Sequence, residues 1–519
     1  MSFLDWFVVI LYLAGLLLLA LWSSKRQSSA SDYYLAGRDL PSLSLATSTI
    51  ATQCSTNSLL GAPAFVGFAA GGGMVWLQYE LAVPLAMLAL TYLLLPIRRS
   101  GHLTIYGFLE ERLGSNARRL ASGCFLLFRG IATGVTVYGI ASVLALLLDV
   151  SYTLAVLLLM TITLVYDLLG GLRAVVISDV VQMILILVSV LVCLAFLFVD
   201  AGSASSLALE RAHALDFDLG VSGASDYGFF PMLIGGFFLY CAYYGCDQSQ
   251  AQRVLAAGSD RDTARVLLLN GLLRFPLVLL YCVLGLALAS YAARNPGFLQ
   301  ALPLNANGAP NVNLVVPVYV LQTFPVGLIG LVMVGIFAAA MSSIDSALNS
   351  LSAATVEDFW FKAFPPETSA DAVGIGRIAT VCWGGLAILF SYQVENIAPT
   401  VLEAINKIGS FANGPLLALF TIALVMPGVG QKRAMMGFAG GVFANFLVSV
   451  GLPDLSWLWW NMTGFCFAIL SAWVLSLWDK QRLRIECSAE PVVAQSRPLL
   501  FGGFGLILVL CVLIDLRAV

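Results

Sequence analysis

From Leu4 to Leu513 the chain keeps returning to nearly uncharged apolar stretches about 20 residues long. A hydrocarbon core roughly 30 Å thick needs about 20 apolar residues per crossing helix. Inside lipid every backbone N–H and C=O must be satisfied within its own segment, so such stretches are helices. The composition agrees: 60% of residues are hydrophobic and 11% charged, whereas a soluble domain carries about 25% charged residues. A soluble globule is excluded, and the helices constitute the protein rather than anchor it. The first stretch, Phe3 to Trp22, has no basic region ahead of it and no small-residue cleavage site before Lys25-Arg26. It reads as a retained helix, not a signal peptide.

Apolar runs between charged or turn-rich breaks predict fourteen spans, at 3–24, 41–70, 74–97, 119–148, 152–168, 174–199, 229–249, 265–291, 326–349, 374–393, 398–426, 433–452, 457–478 and 499–516. With the N-terminus outside, twenty of the 26 Lys and Arg fall on inside loops and four outside, the other two, Arg129 and Arg274, lying within spans. Basic residues collect on the cytoplasmic side, so both termini are expected outside, in the periplasm if the membrane is a bacterial inner membrane. The net charge of −3 offers no basic face to nucleic acid. Nine of the ten cysteines lie in apolar runs, and His102 and His213 fall on opposite sides, so no zinc or haem cluster is expected.

Polar residues inside the spans are the functional signal. Span two carries Ser48-Thr49-Ile50-Ala51-Thr52-Gln53-Cys54-Ser55-Thr56-Asn57-Ser58 at mid-membrane. Single Ser and Thr bond back to their own helix and pack neighbours, but the whole run, with Gln53 and Asn57, predicts a broken helix whose free carbonyls face a cavity and a cation. Span seven has Tyr240-Cys241-Ala242-Tyr243-Tyr244-Gly245-Cys246-Asp247-Gln248, aromatic rings with hydroxyl tips that suit a solute pocket or, more simply, an interface near a loop. On span nine Ala339, Ser342, Ser343 and Ser346 share a helical face, with Asp345 beside it. Hydroxyls, carbonyls and a carboxylate are hard oxygen donors, and an intramembrane Asp is a functional site by default. Asp179 opens span six, where the macrodipole alone would favour it. Arg129, Thr133 and Thr136 recur at i, i+4 and i+7, one polar stripe whose arginine either holds a structural partner or meets a substrate carboxylate, as does Arg274.

These residues resemble the sodium:solute symporter family over about residues 3–480. The resemblance rests on Asp32-Tyr33-Tyr34-Leu35-Ala36-Gly37-Arg38, the run 48–58, Gly170-Gly171 through Ser178-Asp179-Val180-Val181-Gln182, Gln252-Arg253, and Ala338 through Ser350. It implies an all-α polytopic protein of about 14 transmembrane helices, with the leucine-transporter type inverted five-helix repeat and extra N- and C-terminal helices. Residues 1–40 would hold the extra helix and first inside loop, 41–200 the first repeat, 201–228 an external loop, 229–430 the second repeat and 431–519 three further helices. It also implies a principal Na+ site made by the carbonyls of Ala51, Cys54 and Ala339 and the hydroxyls of Ser342 and Ser343. A second cation site would use Asp179, Ser342, Asp345 and Ser346. Asp345 stands where relatives with that site have serine, which leaves sodium or a proton as its ligand. The solute pocket is implied at Gln53, Ser55, Thr56, Asn57, Ser58, Tyr240, Tyr243 and Tyr244, with Arg129 added from its stripe.

The run from Ser343 to Phe359 is most similar to monocarboxylate and vitamin carriers, so the expected activity is sodium-coupled symport of a small organic anion by alternating access. A sugar or sialic acid carrier is the alternative, with a proton-coupled variant behind it. No nucleophile, base or metal constellation suggests an enzyme. A transporter-like sensor would need a signalling domain after the last helix, and the chain ends soon after Leu516. Expected partners are sodium, the solute and the lipid bilayer, with no nucleic acid and no obligate protein partner.

Overall fold

A computed structural model describes residues 1–24, 29–54, 56–201, 208–221, 223, 226–305, 308–394, 401–477 and 491–518. Every element named below is a helix. The chain begins with α1 (Phe3–Ser24) and the short α2 (Ala30–Leu35), then enters a pair, α3 (Ser42–Gln53) and α4 (Thr56–Phe68). A 3₁₀ segment, Met74–Leu81, leads into α5 (Ala82–Arg99), followed by α6 (Ile105–Arg112), α7 (Ser115–Leu148) and α8 (Tyr152–Ala201). A second interrupted pair follows, α9 (Gly236–Cys246) and α10 (Gln248–Leu255), then α11 (Asp260–Arg294), α12 (Gly297–Gln300), α13 (Val315–Thr323) and α14 (Leu328–Thr355). The chain closes with α15 (Phe361–Ala363), α16 (Ser369–Ser391), α17 (Val401–Val425), α18 (Gln431–Gly451), α19 (Trp459–Leu477) and α20 (Pro491–Ala518).

Among the described residues, ten helices are long and apolar enough to cross a membrane, and four shorter apolar helices accompany them: Ser58–Phe68, Pro231–Cys246, Val312–Thr323 and Gly409–Val425. Two of the predicted spans, 152–168 and 174–199, lie end to end in α8, which turns at Gly171 with φ 58° and ψ −174°. Only glycine takes that backbone region without strain.

Burial sorts the helices into centre and rim. The span containing α14 is 89% buried, whereas those of α1 and α20 are 22% and 17% buried. Outward side chains of the rim, such as Leu18, Val199, Leu389 and Leu516, are large and apolar, as a surface solvated by lipid requires. Small residues let the central helices approach closely. A Cβ on Gly335 of α14 would overlap Ser189 of α8, and one on Gly67 of α4 would lie 2.7 Å from the Gly285 carbonyl of α11. Ion pairs gather on the side where α5, α6 and α7 meet their loops. Arg118 bonds Asp358 and Glu110 at 2.6 Å each, Lys362 lies 2.8 Å from Glu110, and Arg98 lies 2.7 Å from Asp260. Partial burial opposes ionisation of Glu110, yet Lys362 and Arg118 hold its carboxyl below the usual range.

Candidate functional site

The polar run of the second span breaks its helix, as its composition predicts. α3 ends at Gln53; the Cys54 N–H still bonds the Ile50 carbonyl at 2.7 Å, but ψ of 56° at Cys54 then turns the chain away. The last carbonyls of α3 thus lose their helical partners. Not every hydroxyl in the run is functional: Thr49 and Thr52 donate back to the Leu45 and Ser48 carbonyls, at 2.7 and 2.8 Å. Ser55 lies outside the described residues, as does the side chain of Asn57.

The small face of α14 packs on this break. Ser342 Oγ lies 3.3 Å from the Ala51 carbonyl and 3.0 Å from that of Ala339, while Ser343 Oγ donates to the Thr52 carbonyl at 2.9 Å. The Cys54 carbonyl accepts from the Tyr281 hydroxyl at 3.3 Å. Ala51, Cys54, Ala339, Ser342 and Ser343 are all buried. The structure therefore brings Ala51, Ala339 and Ser342 to one point, with Ser343 on the neighbouring carbonyl and Cys54 joined to α11.

One turn further along α14 lies a buried ionic cluster. Ser48 Oγ donates to Asp179 Oδ2 at 2.5 Å, and the Arg253 guanidinium approaches the same oxygen to 3.6 Å. Arg253, fully buried, also donates from Nε to Ser48 Oγ at 3.0 Å, from Nη1 to the Ser249 carbonyl at 2.5 Å, and from Nη2 to Ser346 Oγ. Ser346 Oγ lies 3.1 Å from Thr52 Oγ1, and Asp345 Oδ1 accepts the Ser346 N–H at 2.5 Å. Asp179 Oδ1 and Asp345 Oδ2 have no hydrogen-bond partner among the described residues. The sequence reading placed Asp179, Asp345 and Ser346 together but gave Arg253 no role. Its motif was visible, but its reach into this cluster was not.

Beside the break lies a cavity lined by Thr52, Gln53, Ser58, Trp76, Tyr79, Arg129, Thr133, Thr136, Tyr240, Tyr243, Arg274, Tyr281 and Ser343, among others. The stripe on α7 thus forms one wall, and Ser343 belongs to both the cavity and the carbonyl cluster. Two of the expected pocket residues are not among this lining: Thr56 Oγ1 donates to the Ile336 carbonyl at 3.4 Å, and Tyr244 is buried. The two arginines differ. Arg274 Nη2 sits 2.9 Å from Glu80 Oε1 and donates to Tyr240 Oη at 2.6 Å, its guanidinium 4.4 Å from the Tyr240 ring centre. Arg129 lies 3.7 Å from Asp247 Oδ2 and 5.9 Å from the Tyr243 ring centre. Glu80 was missed although it stands inside the predicted span 74–97, where an acidic residue is itself a signal.

The arrangement is that of a binding protein: oxygen donors at a helix break next to a polar, aromatic cavity. Residues 33–441 match the model of the sodium:solute symporter family. The chain is 27% identical to the sodium/sialic acid symporter NanT of Aliivibrio fischeri, over 93% of this chain and 95% of that protein. It is also 27% identical to the sodium-coupled monocarboxylate transporter 2 of Mus musculus, over 82% of this chain and 68% of that one. A solved substrate-bound, outward-open sodium-coupled sialic acid symporter shares the fold, with a TM-score of 0.83 at 21% identity, covering 93% of this chain and all of that one. These relatives are sodium-coupled transporters and not enzymes. The chain belongs to the sodium:solute symporter family.

Proposed function

We propose that this protein carries a small organic anion across a membrane together with sodium, by alternating access. The observation that carries the reading is the meeting of the Ala51 and Ala339 carbonyls with the Ser342 hydroxyl beside Ser343, where a cavity containing Arg129 begins. A hard monovalent cation takes carbonyl and hydroxyl oxygens, so Ala51, Cys54, Ala339, Ser342 and Ser343 form the principal sodium site. Ser343 couples it to the solute because it belongs to both places. Asp179, Ser342, Asp345 and Ser346 form a second cation site. With both carboxylates ionised, Arg253 leaves one negative charge in a dry cluster, which one monovalent cation neutralises.

The solute's carboxylate goes to Arg129. Arg274 is already compensated by Glu80 at 2.9 Å, whereas the nearest acid to Arg129 stands at 3.7 Å, beyond hydrogen-bond distance. Gln53, Ser58, Tyr240 and Tyr243 complete the contact. The relatives named for sialic acid and for monocarboxylates both carry acids, which supports the charge of the solute and leaves sialic acid as the second reading. Fourteen crossings, an inverted repeat formed by the second to sixth and seventh to eleventh spans, and both termini outside complete the proposal. The interrupted pairs α3/α4 and α9/α10 support the repeat, each standing first in its set.

A thermal-shift screen of purified protein against organic acids, sugars, amino acids and vitamins, in sodium and in potassium, tests this reading, because ligands of the folded state raise apparent stability. An organic acid that stabilises only in sodium is the expected hit. Equal stabilisation in both salts, or hits confined to neutral solutes, would refute it.

A further inference from the structure

One fully buried carboxylate belongs to neither cation cluster nor the cavity. Asp167 lies in α8 one turn before the bend at Gly171, on the side that the basic-residue bias assigns to the cytoplasm. Neither of its carboxylate oxygens has a hydrogen-bond partner among the described residues, and Tyr33 of α2 lies nearby. An ionised carboxylate without donor or counter-ion is among the costliest groups to bury.

Among the described residues, none is seen to offset the charge. From α14 the charge that faces it is a second carboxylate, Asp345; from α2 it faces Tyr33 and Tyr34; Arg377 of α16 acts on Tyr33. Tyr166, next to it on α8, gives its hydroxyl to Ser178 at 2.5 Å. A bound metal ion would need a shell of several oxygens, whereas Asp167 offers two unpartnered ones among the described residues. A proton needs no shell.

We propose that Asp167 is a proton-binding carboxyl, held as the neutral acid in this conformation, that exchanges its proton with water when α2, α8 and α16 part and so makes transport sensitive to pH on that side. The packing to be parted is specific. Tyr34 Oη lies 3.1 Å from Ser352 Oγ, which donates to the Gly376 carbonyl of α16 at 2.7 Å. On opening, the O–H bond of the carboxyl breaks, the proton passes to water, and the carboxylate is then hydrated.

Infrared difference spectroscopy of the purified full chain, titrated from mildly acidic to mildly alkaline pH, tests this without any knowledge of the solute. Wild type is expected to show a protonated-carboxyl band at neutral pH that loses one carboxyl's intensity in Asp167→Asn and keeps it in Glu110→Gln. Identical wild-type and Asp167→Asn spectra across the titration would overturn the proposal. Should the Asn variant fail to fold, Tyr33→Phe decides: a displaced titration midpoint supports the proposal and a superimposable one refutes it. Because no transport is measured, failure here leaves the sodium-symport reading untouched.

Discussion

Removing one hydroxyl tests the principal sodium site. In Ser343→Ala the Thr52 carbonyl loses the 2.9 Å bond from Ser343 Oγ, and the sodium ion loses one of its five proposed oxygen ligands. For the empty protein the loss is that of a neutral hydrogen bond, about 1 kcal/mol, and alanine already occupies positions 338–340 of the same helix, so the variant should fold. For the sodium-bound form the loss is that of a contact to a charge, about 1.5–3 kcal/mol. At roughly 1.4 kcal/mol per decade, the sodium concentration for half-maximal effect should rise about ten- to hundred-fold. The assay is the rise in unfolding temperature of purified protein with sodium at constant ionic strength, potassium replacing sodium. A well-folded Ser343→Ala whose sodium curve superimposes on wild type would refute the assignment and the link it makes between ion and cavity.

The second site should respond differently to charge and to oxygen. Asp345→Asn is expected to weaken sodium activation of uptake or lower the number of sodium ions per solute, Asp345→Ser to retain a site, and coincident activation curves for all three at two pH values would make Asp345 a packing residue. Arg274→Met leaves Glu80 buried without its partner and should cost about 3–5 kcal/mol, whereas adding Glu80→Leu should restore most of the thermal stability; equal losses in single and double variants would contradict the pairing. A cysteine replacing Glu367 should be labelled by impermeant reagent only from the cytoplasm and one replacing Phe217 only from outside. Both residues are exposed or in exposed loops, and labelling of both from one side would refute the orientation.

Much of the site is local enough to be read along the chain. The run 48–58 breaks because its polar groups need something other than lipid. The i, i+4, i+7 stripe of Arg129, Thr133 and Thr136 emerges as a cavity wall because periodicity alone decides which face they share. What escapes is pairing across distance. The Arg253 motif is visible, yet its contacts with Ser48, Asp179 and Ser346 come from α3, α8 and α14, which no local pattern joins. Glu80 and Asp167 are different omissions. Each is an acid within a predicted span, 74–97 or 152–168, where its type alone is the signal and no motif or periodicity marks it. Thr56 and Tyr244 stand outside the cavity lining for a third reason: a residue in a polar run is assigned to the cavity by its neighbours, but the rotation of each helix turns some of them elsewhere.

The central claim is tested most directly by uptake into proteoliposomes containing the purified protein, with labelled organic anions, a sialic acid and a short monocarboxylate among them, under an imposed inward sodium gradient. The account predicts accumulation of an anion above its external concentration, which collapses when sodium is equal on both sides or replaced by potassium. Uptake that never exceeds equilibrium, or that proceeds equally in potassium, would contradict it.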